Sequence, residues 1–324
     1  MNRALAVWQL ISASLADEVP VMLLQVVGSQ GSSPGRQGFR MAVNARGEMQ
    51  GSIGGGIMEH KFVQLARERL TQSAAEPVVR RQVHNKTAPQ DQSGMICSGE
   101  QTIALYPMQV ADAAAVAVIL RCLEQEGSGT LTLSADGLGF SAEVRSGSKF
   151  QFEQAPDGTW QYAETLGLRH HLHIIGGGHC SLALSGMMRQ LNFRVHLYED
   201  RAELNTFLEN GFAHQKTAVG TYAELAKLIP AGPGQYVVIM TFGYRTDDVA
   251  LRALLTKELR FLGVLGSGKK IEKMLADYRA EGIDEALLTR LHAPVGLPIH
   301  SQTPEEIAVS IAAQLIAVRN APKS

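Results

Sequence analysis

The chain has 324 residues, more than a single hydrophobic core usually supports, so we expect two domains. Its composition, 45% hydrophobic and 19% charged, is that of a folded globular protein and excludes general disorder. The 30 Lys and Arg residues nearly balance the 31 Asp and Glu residues, so no overall field attracts nucleic acid or a membrane. An anionic ligand would have to be held by local groups.

The N-terminal segment and the cysteines predict a cytoplasmic protein. Residues 1–17 lack the apolar core and cleavage site of a signal peptide, and they predict an ordinary helix. No apolar run approaches the roughly 20 residues of a membrane span. Cys97, Cys122 and Cys180 are odd in number and far apart, which argues against a disulfide framework and a structural zinc site.

A triple glycine is predicted to lie at the start of a helix. A strand at residues 39–43 leads through a turn to Gly54, Gly55 and Gly56, and from Ile57 apolar residues recur at helical spacing. The first amides of a helix have no partner within it and carry the positive end of its dipole. Glycines there can expose these amides to a phosphate. The alternative is a tight turn that binds no ligand.

Each cysteine has a functional and a structural interpretation. Cys97 is predicted to lie in a turn, between a polar loop at 85–94 and a strand at 102–106. Its thiol could serve as a ligand or nucleophile, although no partner base is near in sequence. Cys180 falls in the first turn of a predicted helix, where the dipole lowers the pKa of a thiol, or it simply packs. Cys122 lies among apolar residues and is expected in the core.

We predict an α/β protein in which an N-terminal α/β domain at 1–125 precedes a Rossmann-like domain at 166–324. Residues 126–165 between them are predicted to be a linker with hairpins, because Asp-Gly pairs at 136–137 and 157–158 are turn signals. The later part of the chain alternates strand and helix patterns. This alternation predicts a mostly parallel sheet.

The C-terminal domain opens with the pattern of a dinucleotide-binding turn. An apolar strand at 172–175 precedes Gly176-x-Gly178-x-x-Ser181, which matches the Rossmann fingerprint at two of its three glycines. Glu199 ends the next strand, where an acidic side chain can accept hydrogen bonds from a ribose. The alternative is a Rossmann turn that is retained for packing and binds no nucleotide.

A second glycine-rich segment resembles a phosphate loop only in part. Gly263 and Gly268-Lys269 have the spacing, but Lys270 stands where Ser or Thr would ligate magnesium. This excludes a nucleotide-hydrolysing loop and leaves Lys269 and Lys270 as cations for an anion. Asp247, after another strand, is expected either to contact a ligand or to cap a helix.

Three histidines precede the first strand of the C-terminal domain or lie in it. Alternate residues of a strand face opposite ways, so at most His171 and His173 share a face, while His170 faces away. We interpret the three as structural.

Together these motifs resemble the XdhC/CoxI family of xanthine dehydrogenase accessory proteins, over nearly the whole chain. None of the segments is specific alone, but their order is. They are residues 31–35, 51–56 with Glu59, 97–99, 176–179, 263–267, 293–296 and 303–312.

The resemblance implies a protein that binds the molybdenum cofactor, a pterin with a phosphate, as its cargo. It implies that the protein assists sulfuration of the cofactor and its insertion into a xanthine dehydrogenase-type hydroxylase, with that client and a cysteine desulfurase as partners. We expect a non-catalytic chaperone in which the two glycine-lined helix starts hold phosphate while Cys97, the residue with a chemical role, approaches the metal or its sulfur. The predicted cofactor-binding residues are Gly54, Gly55, Gly56, Glu59, Cys97, Gly176, Gly178, His179, Glu199 and Ser267.

The chain departs from the family pattern at three positions. Ser98 stands in place of the first glycine after the cysteine, Phe242 in place of a histidine, and Ser181 in place of a fingerprint glycine. These changes predict altered ligand choice or a different client.

Two other functions are kept open by the residues themselves. An NAD(P)-dependent oxidoreductase would use Gly176, Gly178 and Glu199, but no acid or base for hydride transfer accompanies them. An assembly scaffold would bind the client hydroxylase and no small molecule. The apolar C-terminal helix at 307–318 predicts a homodimer in either case.

Overall fold

The computed structural model describes residues 3–72, 76–84, 99–145, 148–167 and 170–321. The chain forms two compact units, unit 1 from Met1 to Gly167 and unit 2 from Leu168 to Ser324. Within the described ranges, no helix combines the length and the apolar character needed to cross a membrane.

Unit 1 is built on a five-stranded antiparallel sheet. Its elements are α1 (Arg3–Ala16), β1 (Val21–Gly31), β2 (Arg40–Asn44), β3 (Met49–Ser52), α2 (Gly56–Leu70), β4 (Val78–His84), β5 (Gly99–Pro107), a 3-10 turn (Val110–Asp112) and α3 (Ala113–Glu124). The strand order is β3-β2-β1-β5-β4. The central strand β1 is apolar over most of its length because alternate residues face two cores: Val21 and Leu23 join the core of α1 and α3, and Met22 and Leu24 join that of α2.

A second antiparallel sheet completes unit 1. It contains β6 (Ser128–Ser134), β7 (Leu138–Ser141), β8 (Phe150–Gln154) and β9 (Trp160–Gly167), in the order β7-β6-β9-β8. Both Asp-Gly pairs lie in the turns of its hairpins. The sequence predicts a linker with hairpins at residues 126–165. The described residues of this range form hairpins that belong to a sheet, and Leu131, Leu133 and Tyr162 of the sheet share the core of α1 and α3.

A buried ion pair connects the two sheets of unit 1. Arg40 of β2 donates a hydrogen bond to the carboxylate of Glu164 on β9, and both side chains are almost fully buried. The Tyr162 hydroxyl donates to the same carboxylate. Burial lowers the pKa of Arg40 to about 10, so the guanidinium keeps its charge at neutral pH. This pair fixes the position of β9 against β2.

Unit 2 is a parallel α/β fold, as the sequence predicts. Its elements are β10 (His170–Ile175), α4 (His179–Gln190), β11 (Phe193–Glu199), α5 (Asn205–Leu208), β12 (Gln215–Ala218), a 3-10 turn (Tyr222–Glu224), α6 (Leu225–Leu228), β13 (Gly232–Ile239), α7 (Tyr244–Leu254), β14 (Leu259–Val264), α8 (Gly268–Ala280), α9 (Glu285–Leu288) and α10 (Pro304–Asn320). The strands are parallel and lie in the order β12-β11-β10-β13-β14. From β10 the chain adds β11 and β12 on one side and then adds β13 and β14 on the other side, so the direction of strand addition changes between β10 and β13. Such a reversal opens a ligand crevice at the carboxyl ends of these two strands.

The C-terminal helix α10 packs within unit 2. Its residues Ala308, Ile311, Ala312 and Leu315 are buried in the core that α4 and the sheet share. The apolar pattern of this helix therefore has an intramolecular explanation, and the homodimer prediction loses the observation on which it was based.

Candidate functional site

The glycine turn of unit 1 combines one packed glycine with two open ones. Gly54, Gly55 and Gly56 have φ of +135°, +78° and +69°, a backbone conformation that residues other than glycine rarely adopt. A Cβ on Gly54 would lie 2.6 Å from the backbone nitrogen of Gly35, whereas one on Gly55 or Gly56 would meet nothing within 4 Å. The turn therefore presents bare backbone at the start of α2.

Glu59 directs its carboxylate onto the amides of this same turn. Its Oε2 accepts hydrogen bonds from the backbone nitrogens of Ile53 at 2.9 Å and Gly55 at 3.0 Å. It also accepts one from Ser52 Oγ at 2.7 Å. Glu59 thus fixes the shape of the turn and takes one of the amides that the sequence assigns to a phosphate.

Two other segments of unit 1 pack against the turn. Gln101 of β5 donates from Nε2 to the carbonyl of Ile53 at 2.9 Å and accepts at Oε1 from the nitrogen of Gly35 at 3.4 Å. A Cβ on Gly99 would lie 2.6 Å from a backbone carbon of the loop that ends at Gly35. Three distant stretches of sequence therefore meet here. Cys97 lies outside the described residues, two positions before Gly99 in sequence.

The sequence analysis did not single out Gln101, although a glutamine in a strand that leads into an apolar run is a visible sequence feature. A fully buried glutamine needs hydrogen-bond partners, and Gln101 finds them in the two neighbouring loops.

The glycine turn of unit 2 also contains one glycine that packing requires and one that faces open space. Gly176 has φ +103°, and a Cβ there would lie 2.4 Å from the carbonyl oxygen of Met240. Gly178 has an ordinary φ of −74°, and a Cβ there would meet nothing within 4 Å. No side chain caps α4, which begins at the exposed His179. The first amides of α4 therefore adjoin open space, as a phosphate site requires.

Ser181 explains how the turn tolerates a departure from the fingerprint. The side chain is buried, and its hydroxyl donates to the carbonyl of Gly176. The added polar group is thus satisfied inside the turn.

Glu199 lies at the predicted strand end but faces inward. Its side chain is fully buried. Oε2 accepts from the nitrogen of Gly177, and Oε1 accepts from Nε of Arg201 at 2.7 Å. Burial alone would raise the pKa of Glu199, but the hydrogen bonds from Arg201 and Gly177 outweigh it and hold the pKa below its usual value. The carboxylate is therefore charged and bonded to the protein rather than directed at a ribose.

An aromatic ring and a guanidinium lie together at the mouth of the crevice. Phe242 follows β13 and is 86% exposed. The guanidinium carbon of Arg201 lies 5.3 Å from the centre of its ring. An exposed ring beside a cation suits a flat heterocycle that carries negative charge. We call this pair the Phe242–Arg201 platform; sequence reasoning noted Phe242 only as a departure and did not single out Arg201.

The lysines at the start of α8 have a different role from the predicted one. Lys270 donates to the buried carboxylate of Asp247, which also accepts from Thr241 at its backbone nitrogen (3.0 Å) and its hydroxyl (2.7 Å). Lys270 is therefore paired within the protein, and the interpretation of it as a cation for an anion is wrong. Lys269 is exposed. Ser267 Oγ accepts from the nitrogen of Lys270 at 3.4 Å and caps the helix.

The two described cysteines, Cys122 and Cys180, both have a raised pKa. Burial, and then the charge of Glu305, raise the pKa of Cys180 above its ordinary value. The expectation that the helix dipole lowers it is therefore wrong, because burial is the larger effect. Burial also raises the pKa of Cys122.

A stack of histidines lies on one face of the unit 2 sheet. His171 and His173 share this face, as predicted, and His196 of β11 joins them, with its Nε2 3.0 Å from Nδ1 of His171. Burial lowers the pKa of His173 to about 4 and that of His196 to about 3. Among the described residues, no group of three or more His, Cys, Asp or Glu is arranged to hold a metal ion.

Comparison with known proteins identifies the family. A model of the "XdhC and CoxI family" matches residues 14–81 in unit 1, and a model of the "XdhC Rossmann domain" matches residues 172–315 in unit 2. Together the two matches cover about two thirds of the chain. The chain belongs to the XdhC and CoxI family.

Two curated relatives of this XdhC and CoxI family member differ in how much they share. "Uncharacterized protein YqeB" of Escherichia coli K12 is 25% identical over 304 residues, which is 93% of this chain and 44% of YqeB. A probable xanthine dehydrogenase subunit of Bacillus subtilis is 31% identical over 87 residues, 27% of this chain and 24% of that protein. The chain thus spans less than half the length of the curated relatives it matches.

The fold is shared with a solved structure. The crystal structure of a xanthine dehydrogenase from Bacillus halodurans aligns with a TM-score of 0.71 at 22% identity, over 98% of this chain and 97% of that one. At this identity the likeness supports the fold of the family member and nothing finer.

Proposed function

We propose that this protein binds the molybdenum cofactor as cargo and assists its sulfuration and its insertion into a xanthine dehydrogenase-type hydroxylase. Family membership and the name of one curated relative, a probable xanthine dehydrogenase subunit, support a link to such an enzyme. One observation carries the binding step: in unit 2 a packed glycine, Gly176, holds an open glycine, Gly178, at an uncapped helix start. That arrangement leaves amides for a phosphate.

The phosphate is assigned to unit 2 because of the neighbouring charges. At the unit 1 turn the carboxylate of Glu59 lies on the turn amides and repels a phosphate. At the unit 2 turn the corresponding carboxylate, Glu199, is in an ion pair with Arg201, which also lies 3.8 Å from Asp200. A phosphate at Gly178 therefore meets the open amides of α4, and the carboxylate that binds this turn is already paired with a cation.

The pterin ring of the cargo is assigned to the Phe242–Arg201 platform. A flat, electron-poor heterocycle stacks favourably on an exposed aromatic ring, and such contacts contribute about 1–3 kcal/mol in other heterocycle-binding sites. Cys97 remains the proposed contact with molybdenum or its sulfur, and its substitution tests that role separately. The proposed partners are the client hydroxylase and a cysteine desulfurase.

Gly178→Ala tests the proposal because it adds only one methyl group. Its φ of −74° and its open surroundings allow the variant to fold, while the methyl group takes the space of the phosphate. Gly211→Ala is the matched control, since a Cβ there also meets nothing within 4 Å. We expect Gly178→Ala to lose at least about tenfold in affinity for the cofactor, about 1.4 kcal/mol. The readout is pterin fluorescence of the gel-filtered complex.

Retention of cofactor by Gly178→Ala equal to that of Gly211→Ala would remove the unit 2 turn from the site. A loss in Cys97→Ala alone would then place the cargo in unit 1.

An NAD(P)-dependent oxidoreductase is the second candidate function. The Rossmann turn favours it, but the inward direction of Glu199 removes the expected ribose acceptor. Titration with NADH and NADPH separates the candidates, because a ligand that binds the folded state must raise its melting temperature. An unchanged melting temperature at millimolar dinucleotide would exclude this function. For an assembly scaffold, neither the molybdenum cofactor nor a dinucleotide would change the melting temperature.

A further inference from the structure

We propose that unit 2 carries a second ligand site, for a small organic anion, in a cavity of about 250 Å³ beside the first residues of β14. The proposal is independent of the cofactor function. It depends on three cationic residues that line the cavity, Lys257, Arg260 and Arg290, and on the leucines that line it with them.

The cavity begins at the amino end of β14, whereas the glycine turn follows the carboxyl end of β10. Its lining includes Leu259 and Arg260, which begin β14, and Lys257 just before that strand. The crevice of the glycine turn is at the carboxyl ends of the same parallel strands. The cavity follows β14 as far as Leu262, whereas the glycine turn follows β10, which is two strands away in the sheet, so the two sites have different linings.

Two of the cations are held in place by neutral acceptors. Lys257 Nζ donates to the carbonyl oxygen of Ile229 at 2.6 Å, and Arg260 Nη2 donates to that of Val318 at 2.7 Å. Among the described residues, neither is in an ion pair with a carboxylate. The carbonyls therefore orient the two cations without cancelling their charge, and an anion in the cavity gains charge-assisted hydrogen bonds.

The third cation is only weakly neutralised. Arg290 Nη2 donates to the carbonyl of Lys257 at 3.2 Å, and its Nη1 lies 3.4 Å from the carboxylate of Glu258. The Glu258 side chain is 83% exposed, so water and salt screen its attraction. The cavity therefore keeps a positive potential.

The uncharged lining of the cavity indicates that the anion also has an apolar part. Leucines, including Leu287 and Leu291, line the cavity together with His292, whose ring stacks on Phe261 at 4.2 Å. His292 Nδ1 faces Gln314 Nε2 at 3.3 Å and accepts from it, so its proton lies on Nε2. A cavity of this size is smaller than the pockets of drug-sized ligands. It suits a carboxylate with a short apolar or aromatic body.

Calorimetric titration with sodium benzoate and sodium acetate at low salt tests the site. We expect saturable benzoate binding about tenfold tighter than acetate binding, because the ring adds apolar burial. The affinity should fall as sodium chloride is added. Arg290→Gln removes a largely exposed cation and should weaken benzoate about tenfold, while Lys273→Gln, a surface change on α8, should not.

Three results would overturn the proposal. They are the absence of saturable benzoate binding, equal affinities of Arg290→Gln and Lys273→Gln, and loss of benzoate binding in Gly178→Ala. The last would place benzoate at the glycine turn. Circular dichroism of each variant confirms that it is folded, and Lys257→Gln provides a second cation substitution.

Discussion

The two glycine turns share a design and differ in how it is completed. In each, one glycine is required by packing, another faces open space, and a carboxylate accepts a hydrogen bond from a turn amide. Glu59 comes from the helix that the turn begins, whereas Glu199 comes from a neighbouring strand and is paired with Arg201. The comparison teaches that two turns with similar glycines can differ in the charge beside them, and this difference is why we propose the phosphate site in unit 2.

Substitution of the packed glycine should have the largest effect. Gly176→Ala places a methyl group 2.4 Å from a carbonyl oxygen at a φ of +103°, so it should destabilise unit 2 by at least about 3 kcal/mol or prevent folding. Gly178→Ala should change stability by less than about 0.5 kcal/mol. Urea unfolding measures both. Equal stabilities of the two variants would contradict the division into packed and open glycines.

Acid should destabilise unit 2 and spare unit 1. Because burial lowers the pKa of His173 to about 4 and of His196 to about 3, both take up protons on unfolding below pH 6.5. Their stabilising contribution is complete above pH 6.5 and is lost progressively as the pH falls from 6.5 toward 4. Both tryptophans, Trp8 and Trp160, lie in unit 1.

Between pH 7 and pH 4, circular dichroism should therefore report unfolding before tryptophan fluorescence does. His196→Gln should reduce the acid sensitivity, and His60→Gln, an exposed change in α2, should leave it. Coincident transitions by the two probes would contradict the assignment.

Replacement of Glu199 or Glu59 by glutamine should lower the free energy of unfolding by different amounts at the two turns. Glu199→Gln leaves Arg201 without its buried partner and should lower the free energy of unfolding by about 2 kcal/mol. Glu59→Gln keeps an acceptor at a half-buried position and should cost about 1 kcal/mol. Denaturant titration of both variants gives the difference, and a larger loss for Glu59→Gln would reverse the comparison.

Removal of the platform should have the smallest effect on stability. Phe242 is 86% exposed, so Phe242→Ala should change the free energy of unfolding by less than about 0.5 kcal/mol. Cofactor affinity should nevertheless fall several-fold, because the stacking surface is lost. Val110→Ala, at an 81% exposed position in unit 1, is the control. Unchanged affinity in Phe242→Ala would assign the pterin elsewhere.

Local patterns predict the fold class but not the sheet at 128–167. The strand-helix alternation of unit 2 and the glycine turns at helix starts are properties of neighbouring residues, which sequence reveals. The second sheet of unit 1 consists of short strands that are stabilised by packing on α1 and α3. The local pattern predicts the hairpins, but the packing of the sheet on α1 and α3 is distant in sequence, so the sequence does not show that these hairpins belong to unit 1.

The site is harder to predict, because its charges are decided by distant partners. Glu199 is 22 residues from the amide of Gly177, and Lys270 is 23 residues from Asp247. Sequence places both near the predicted edge of the sheet, but it cannot show that each already has a partner. The predicted ligand contacts therefore remain proposals, including that of Cys97, which lies outside the described residues.

The carboxylates that bind the turn amides affect the rate at which a ligand would associate with these loops. Glu59 and Glu199 fix the shape of each loop through the protein's own hydrogen bonds, so a ligand that fits the loop as it stands would spend little conformational entropy on ordering the backbone. A preorganised loop of this kind allows association without a slow rearrangement. Under the proposed carrier role, the residence time of the cargo would then be set by the contacts that the cargo itself makes.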